Sequence, residues 1–270
     1  MGKKIAIFFS GGLDSTYLVW KNLNDGNEVY PFYVEIENNR NKTILEKNRV
    51  ELLFEEFSKE FNKSELKIQS IKHLMNICIN SCYDDELKFK QLPIWILGAL
   101  YLQCRNFDEI QIAYVSNDDA ISYLSEIQAI YNSYSSIIDN IKPLTFPLVK
   151  IKKEEIANEL PKQYLDLIIS CEMPKIIGSI DAKIIEYEPC CECVPCKHII
   201  SSNYYGLNKY PNRYNKNLIK QNAYVLLCNG YKIYNINGIE YLNSSDEPKL
   251  SPIQLEFNFN NDNNEELIHN

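Results

Sequence analysis

Two groups of residues in this 270-residue chain have types and spacings suited to chemistry. The first is Ser10-Gly11-Gly12-Leu13-Asp14-Ser15. Its glycines let the backbone turn sharply and bring N–H groups close to a ligand, and its serines add hydroxyl donors. Such a turn at a helix start favours an anion. Asp14 repels phosphate, so it serves either a magnesium ion or the geometry of the loop itself. The plain alternative is a turn that only joins two elements. The spacing is neither the Walker type, which ends in Gly-Lys-Ser/Thr, nor the dinucleotide type, Gly-x-Gly-x-x-Gly. The second group is Cys190-x-x-Cys193-x-x-Cys196, with Cys171 upstream. Four thiolates suit tetrahedral zinc, and a filled four-cysteine site is structural because it leaves no open position. Cys191 competes for one ligand place and His198 can substitute. An iron–sulfur cluster draws on the same residues, and the plain alternative is a set of reduced, unliganded thiols.

Positioning these groups requires a scaffold. Ile5 to Phe9 is a short apolar run, as in a buried parallel strand, and Thr16 to Trp20 reads as the first turns of a helix. Val29 to Ile36 and Leu66 to Ile71 read as the second and third strands, with a helix over 42–61 between them. Pro93 opens an apolar helix over 92–104, and Asp108 to Val115 is a fourth strand. Tyr123 to Ile138 reads as a further helix. Alternating strands and helices predict a Rossmann-like α/β fold with a parallel sheet, whose ligands sit beyond the carboxyl ends of the strands. Ser116-Asn117-Asp118-Asp119 falls at that edge, either as substrate contacts or as a helix N-cap cluster. A strand ends at Pro147, and a helix begins near Lys152. Lysines at a helix start oppose its dipole, which favours a nearby anion such as ATP phosphate or else a solvated basic face.

Composition narrows the function classes. A net charge of −8 argues against broad nucleic-acid binding. No leader-like segment or membrane-length apolar run is evident, which predicts a cytoplasmic protein without a membrane partner. Nine cysteines in such a setting point to metal or catalysis rather than disulfides.

Ser10 to Ser15 looks like the pyrophosphate loop of the PP-loop ATP pyrophosphatases. That resemblance implies that the loop grips the ATP β- and γ-phosphates with Mg2+, while a substrate oxygen attacks the α-phosphate. The loop, the Pro147 to Ile156 stretch and the cysteines together resemble the 7-cyano-7-deazaguanine synthase (QueC) family over about residues 3–205. The resemblance implies a zinc site at Cys171, Cys190, Cys193 and Cys196, and a charge-neutralising role for Lys153. It implies adenylation of 7-carboxy-7-deazaguanine, attack by ammonia to give an amide, and a second ATP round to give the nitrile. Where that family has Gly-Arg-Asn this chain has Lys90-Gln91-Leu92-Pro93, and the family's Tyr-Pro-Asp-Cys-Arg segment has no counterpart after Ser116. The Cys171–Cys190 gap is longer than usual.

These readings divide the chain into a nucleotide-binding domain at 1–170, a cysteine segment at 171–209 and a β extension at 210–270. In the extension, Asn229-Gly230 and Asn237-Gly238 separate apolar runs and predict a three-stranded antiparallel meander. Ile253, Leu255, Phe257 and Phe259 alternate as a fourth strand would. The extension either covers apolar surface or docks a partner. QueC-like proteins also occur in antiphage operons, including type IV CBASS. There the resemblance implies transfer of the deazaguanine to the N-terminal amine of a partner protein. A homodimer is a further expectation. The competing function classes are a PP-loop tRNA-thiolating or amidating enzyme, which the acidic balance disfavours, and a non-enzymatic nucleotide sensor.

Overall fold

The computed structural model describes residues 2–37, 39–61, 68–78, 91–103, 105–116, 118–135, 137, 142–180, 183–190, 192–196, 232–236 and 239–243. Two compact units, Met1–Tyr204 and Tyr205–Asn270, divide the chain. In the first, five strands form one sheet in the order β3-β2-β1-β4-β5, with every neighbouring pair parallel. They are β1 (Lys4–Phe8), β2 (Glu28–Glu37), β3 (Lys72–Cys78), β4 (Glu109–Gln111) and β5 (Leu144–Thr145). The apolar run Ile5 to Phe9 is almost wholly buried, as the central strand of a covered parallel sheet must be.

Among the described residues, six helices connect and flank the strands: α1 (Leu13–Asn24), α2 (Arg40–Phe61), α3 (Leu92–Leu102), α4 (Leu124–Ser135), α5 (Lys153–Glu159) and α6 (Lys162–Leu165). Pro93 lies in the first turn of α3, where a missing N–H costs nothing. Leu45, Val50, Leu53 and Phe57 of α2 are buried, and Phe57 stacks on Tyr164 with ring centroids 4.4 Å apart. The helix expected over 123–138 is α4, Leu124–Ser135, entered through a 3-10 turn at Asp119–Tyr123. The strand expected to end at Pro147 ends at Thr145.

The third strand is displaced from its expected place at Leu66 to Ile71. Ile68 lies in an isolated parallel bridge with Val29, and the ladder begins at Phe32↔Lys72. Pro31 brings no N–H to the sheet, and a register shift between Tyr33 and Val34 leaves Leu74 as the extra residue of a bulge. A second sheet lies between Cys171 and Cys190. The hairpin β6 (Lys175–Ile180) and β7 (Ile184–Glu188) fills that long gap. It is held to α2 by Asn48, whose Oδ1 accepts from the Ile185 N–H at 3.1 Å, and by Arg49, which donates to the Ile185 carbonyl at 2.6 Å.

In the second unit, β8 (Lys232–Ile236) and β9 (Ile239–Asn243) form an antiparallel pair with Ile236 opposite Ile239. That register fits the two-residue Asn237-Gly238 connection. The meander's first run, Ala223 to Cys228, and the alternating residues from Ile253 to Phe259 lie outside the described residues. The described residues thus form a Rossmann-like parallel α/β sheet with flanking helices, a four-cysteine cluster and two small two-stranded antiparallel sheets. No helix among the described residues is long and apolar enough to cross a membrane.

Candidate functional site

Strand order fixes where a ligand belongs. The chain runs outward from β1 through β2 to β3, then returns to add β4 and β5 on the other side of β1. The switch point lies between β1 and β4, and in open α/β sheets the crevice beyond that point is the binding site. Ser10 to Ser15 follows β1 there, and Asp118 follows β4.

The loop is built for close backbone approach. Gly11 has φ of 73°, a left-handed conformation that side chains disfavour. Gly12 caps α1 without a side-chain hydrogen bond, so the first N–H groups of the helix are not consumed by a capping side chain. Ser15 closes the turn by donating to the Gly12 carbonyl at 3.2 Å and accepting from the Ser10 N–H at 3.3 Å. The two serine hydroxyls are 3.3 Å apart. The Ile169 N–H donates to the Gly11 carbonyl at 3.1 Å, tying the loop to the segment that carries Cys171.

Asp14 stands in the first turn of α1, and Lys153 is the first residue of α5. Lys153 Nζ lies 3.2 Å from Asp14 Oδ2 and 3.2 Å from Asp118 Oδ1. The three side chains are 18–24% exposed, so their mutual attraction is only partly screened. Burial pushes Asp14 up to about 6, with Asp118 adding to it and Lys153 opposing it. Burial pulls Lys153 down, but the two carboxylates outweigh that and hold it above the ordinary lysine range. Asp14 Oδ1 is buried without a hydrogen-bond partner among the described residues. A buried carboxylate oxygen with no donor fits a hard divalent cation, which prefers oxygen ligands.

Asp118 follows β4 at the carboxyl edge of the sheet, and its side chain makes no capping hydrogen bond. It is the N-cap residue of the 3-10 turn, while its side chain accepts from the Val115 N–H at 3.0 Å and faces Lys153. The Ser116 N–H donates to the Ile151 carbonyl at 3.0 Å, which joins the loop after β4 to the approach to α5. Asn117 lies outside the described residues.

Cys171, Cys190, Cys193 and Cys196 converge, with all four sulfurs within 4.8 Å of one another. Cys171 and Cys196 are buried. Backbone amides already point at the sulfurs: Cys190 N–H to Cys171 at 3.1 Å, Cys193 N–H to Cys190 at 3.4 Å, and Glu172 N–H to Cys193 at 3.4 Å. Hydrogen bonds from the Cys171 and Cys196 thiols hold Cys193 well below the ordinary thiol range, and the same sharing holds Cys171 and Cys196 above it, as when neighbouring thiols divide one negative charge. The donor set and its closeness fit one tetrahedral ion. Cys191 and His198 lie outside the described residues.

All of this surrounds one cleft of about 370 Å³, lined among others by Ser10, Asp14, Ser15, Asp118, Lys153 and Cys171. A further polar group on its wall went unread in the sequence. Lys42 bonds Glu172 closely and stands 3.6 Å from Glu46, which also accepts from the Tyr33 hydroxyl at 3.4 Å. Its only sequence signal is the Lys42-x-x-x-Glu46 spacing at the start of the helix after β2.

No family model matches the chain, and no curated protein matches it. Among solved structures it is similar to the U34-tRNA thiolase NcsA from Methanococcus maripaludis with its 4Fe-4S cluster. That likeness has 15% identity over 84% of this chain and 73% of that one, with a TM-score of 0.35. It is similar to NMN synthetase from Francisella tularensis at 20% identity, covering 62% of this chain and 63% of that chain, with a TM-score of 0.31. It is also similar to a predicted subunit of tRNA methyltransferase from Methanocaldococcus jannaschii, at 14% identity over 77% of this chain and 92% of that chain, with a TM-score of 0.32. No functional assignment rests on these likenesses.

Proposed function

We propose that this protein is an ATP-dependent enzyme that activates a carboxylate as its adenylate and transfers it to nitrogen. The observation carrying the reading is Asp14, Asp118 and Lys153 converging on a glycine loop at the sheet's switch point. The loop N–H groups and the start of α1 receive the β- and γ-phosphates. Asp14, through its unpaired Oδ1, would hold a magnesium ion, which when bound would supply positive charge beside the departing phosphates. Lys153 offers its ammonium to the same oxygens when they displace it from its carboxylate partners. A carboxylate oxygen of the substrate attacks the α-phosphorus, and the bond to pyrophosphate breaks. Nitrogen then attacks the acyl carbon, and AMP leaves.

The acid we propose is 7-carboxy-7-deazaguanine, on the strength of the QueC resemblance. The nitrogen donor is ammonia or, in a defence-linked variant, the N-terminal amine of a protein docking on the β extension. We read the cysteine ion as zinc: Cys171, Cys190, Cys193 and Cys196, with sulfurs within 4.8 Å of one another, would hold one tetrahedral ion. A four-iron cluster is wider and spreads its thiolates further. When bound, the ion would order the segment that bonds Gly11, leaving the chemistry to the loop, Asp14 and Lys153.

The test is product analysis with ATP and the deazaguanine acid. AMP, pyrophosphate and a mass corresponding to the amide, the nitrile or a protein conjugate are expected. Turnover only when tRNA replaces the acid would establish the tRNA-modifying alternative, and binding of ATP without turnover on any acid would establish a sensor.

A further inference from the structure

The cleft has a second polar wall that phosphate chemistry does not use. Lys42 and Glu46 lie one turn apart near the start of α2, and Glu172 follows Cys171. One ammonium there faces two carboxyl groups, so the wall holds more acid than base. The ammonium is committed to Glu172, and Glu46 stands back from it at 3.6 Å. The other Glu46 oxygen has the Tyr33 hydroxyl at 3.4 Å. Both contacts are longer than a good hydrogen bond. A carboxylate only 13% exposed and held this loosely has acceptor capacity left over, which burial makes costly to leave unused. Burial, with Glu172 beside it, pushes Glu46 up to about 7 against the pull of Lys42.

The rest of the cleft says what shape of ligand meets that carboxylate. Phe8, Trp95 and Tyr114 give it flat aromatic surface beside Val34 and Ile36, and Trp95 packs against Phe8 with centroids 5.4 Å apart. Such walls suit a planar ring. A carboxylate among them selects a ring edge with two adjacent N–H donors, because its two oxygens accept in parallel. An adenine edge places its amino group beside a bare ring nitrogen, which a carboxylate repels.

We infer that Glu46 is the residue that selects the ring of the acid substrate, accepting from a ring N–H and the neighbouring amino group of an aminopyrimidinone edge. The assignment rests on the deazaguanine reading above, since that ring carries this edge. Glu46 also keeps the acid's ring apart from the nucleotide's, which lacks the edge. Lys42 and Glu172 hold the wall in place, and Glu172 is itself positioned by its N–H bond to Cys193.

The test is calorimetric titration of the full chain, unaltered and as Glu46→Gln and Glu46→Asp. The ligands are 7-deazaguanine, 7-deazahypoxanthine (which lacks the amino group), and a non-hydrolysable ATP analogue. The unaltered protein is expected to prefer the aminated ring by about tenfold to a hundredfold, the range of a hydrogen bond to a charged group. Glu46→Gln should lose that preference and keep its ATP affinity. Glu46→Asp retracts the charge by one methylene and should weaken binding of the aminated ring alone. Equal weakening of both rings would mean a packing role and overturn the assignment, as would an unaltered protein that binds both alike or neither. AMP release from the acid separates the two claims. If Glu46→Gln keeps the ring preference while the acid yields AMP, Glu46 falls and the adenylation reading stands. If the preference depends on Glu46 but the acid yields no AMP, the reverse holds.

Discussion

The ammonium of Lys153 sits 3.2 Å from the Asp14 carboxylate, bringing the start of α5 to the start of α1. Each residue answers a problem the other creates. A lysine in a helix's first turn opposes the dipole, and Asp14 with Asp118 offsets that. A carboxylate beside a phosphate loop repels its ligand, and Lys153 offsets that in turn. The pair predicts that Asp14→Asn leaves the fold intact and lowers pyrophosphate release by about a hundredfold or more, the scale of losing an electrostatic contact to the reacting group. Lys153→Gln should lower it by a similar factor while ATP still binds. Steady-state pyrophosphate release alongside circular dichroism checks both, and unchanged turnover in either variant removes that residue from the mechanism.

The same burial makes stability depend on pH. Folded Asp14 holds its proton to about 6, against an ordinary value of 3.8. Between those values the folded state binds more protons than the unfolded one, so ligand-free stability falls as pH rises from about 4 to about 6. The loss is at most about 3 kcal/mol. Glu46, raised to about 7, acts in the same direction. Activity has the opposite sign, because Asp14 must be ionised to hold a cation, and it should decline below pH about 6. Urea unfolding across this range should show the fall, and Asp14→Asn should flatten it. A ligand-free stability that climbs steadily with pH through this window, unaltered by Asp14→Asn, contradicts the assignment.

Two glycines with positive φ separate a functional turn from an ordinary one. Gly11 has φ of 73°, and a Cβ there would lie 3.3 Å from Val50 Cγ2 and 3.4 Å from Arg49 Cβ. Gly26 has φ of 79° and open space around it. Alanine at either site costs about 1–2 kcal/mol of backbone strain. Gly26→Ala should therefore lose stability alone, whereas Gly11→Ala should also raise the KM for ATP about tenfold or more by shifting the loop. Parallel thermal melts and kinetics decide this, and equal ATP affinity in the two variants counts against the loop.

Cys193→Ser should release the bound metal and lower stability by about 3 kcal/mol, or about 10 °C in Tm. Because the Ile169 N–H holds Gly11, chelation should also weaken ATP binding even though no cysteine touches phosphate. Metal content by mass spectrometry, paired with ATP titration, tests this. Retention of one zinc per chain at full stability after Cys193→Ser would contradict the site.

How much was legible in the sequence depends on how local each signal is. Ile5 to Phe9, the glycine loop and the first turns of α1 are contiguous, so one stretch of chain encodes strand, turn and helix. The two-residue gaps between Cys190, Cys193 and Cys196 likewise place those thiols on one loop. The third strand lies beyond the expected Leu66 to Ile71 because the bulge at Leu74 breaks the alternation of Lys72 to Cys78, while Leu66 and Ile68 offer the more regular apolar spacing. The β6–β7 hairpin was missed because its residues are mostly half-exposed and pair with each other rather than with the main sheet. Glu46 and Glu172 are far apart in the chain, and only the packing of α2 against the cysteine segment brings them to one ammonium.

The most direct measurement uses ATP labelled at the α-phosphate, with 7-carboxy-7-deazaguanine present and absent. The account predicts labelled AMP and an equal amount of pyrophosphate only when the acid is present, with no ADP. Formation of ADP and inorganic phosphate, or no acid-dependent cleavage at all, would contradict attack at the α-phosphate and with it the role given to the Ser10 to Ser15 loop.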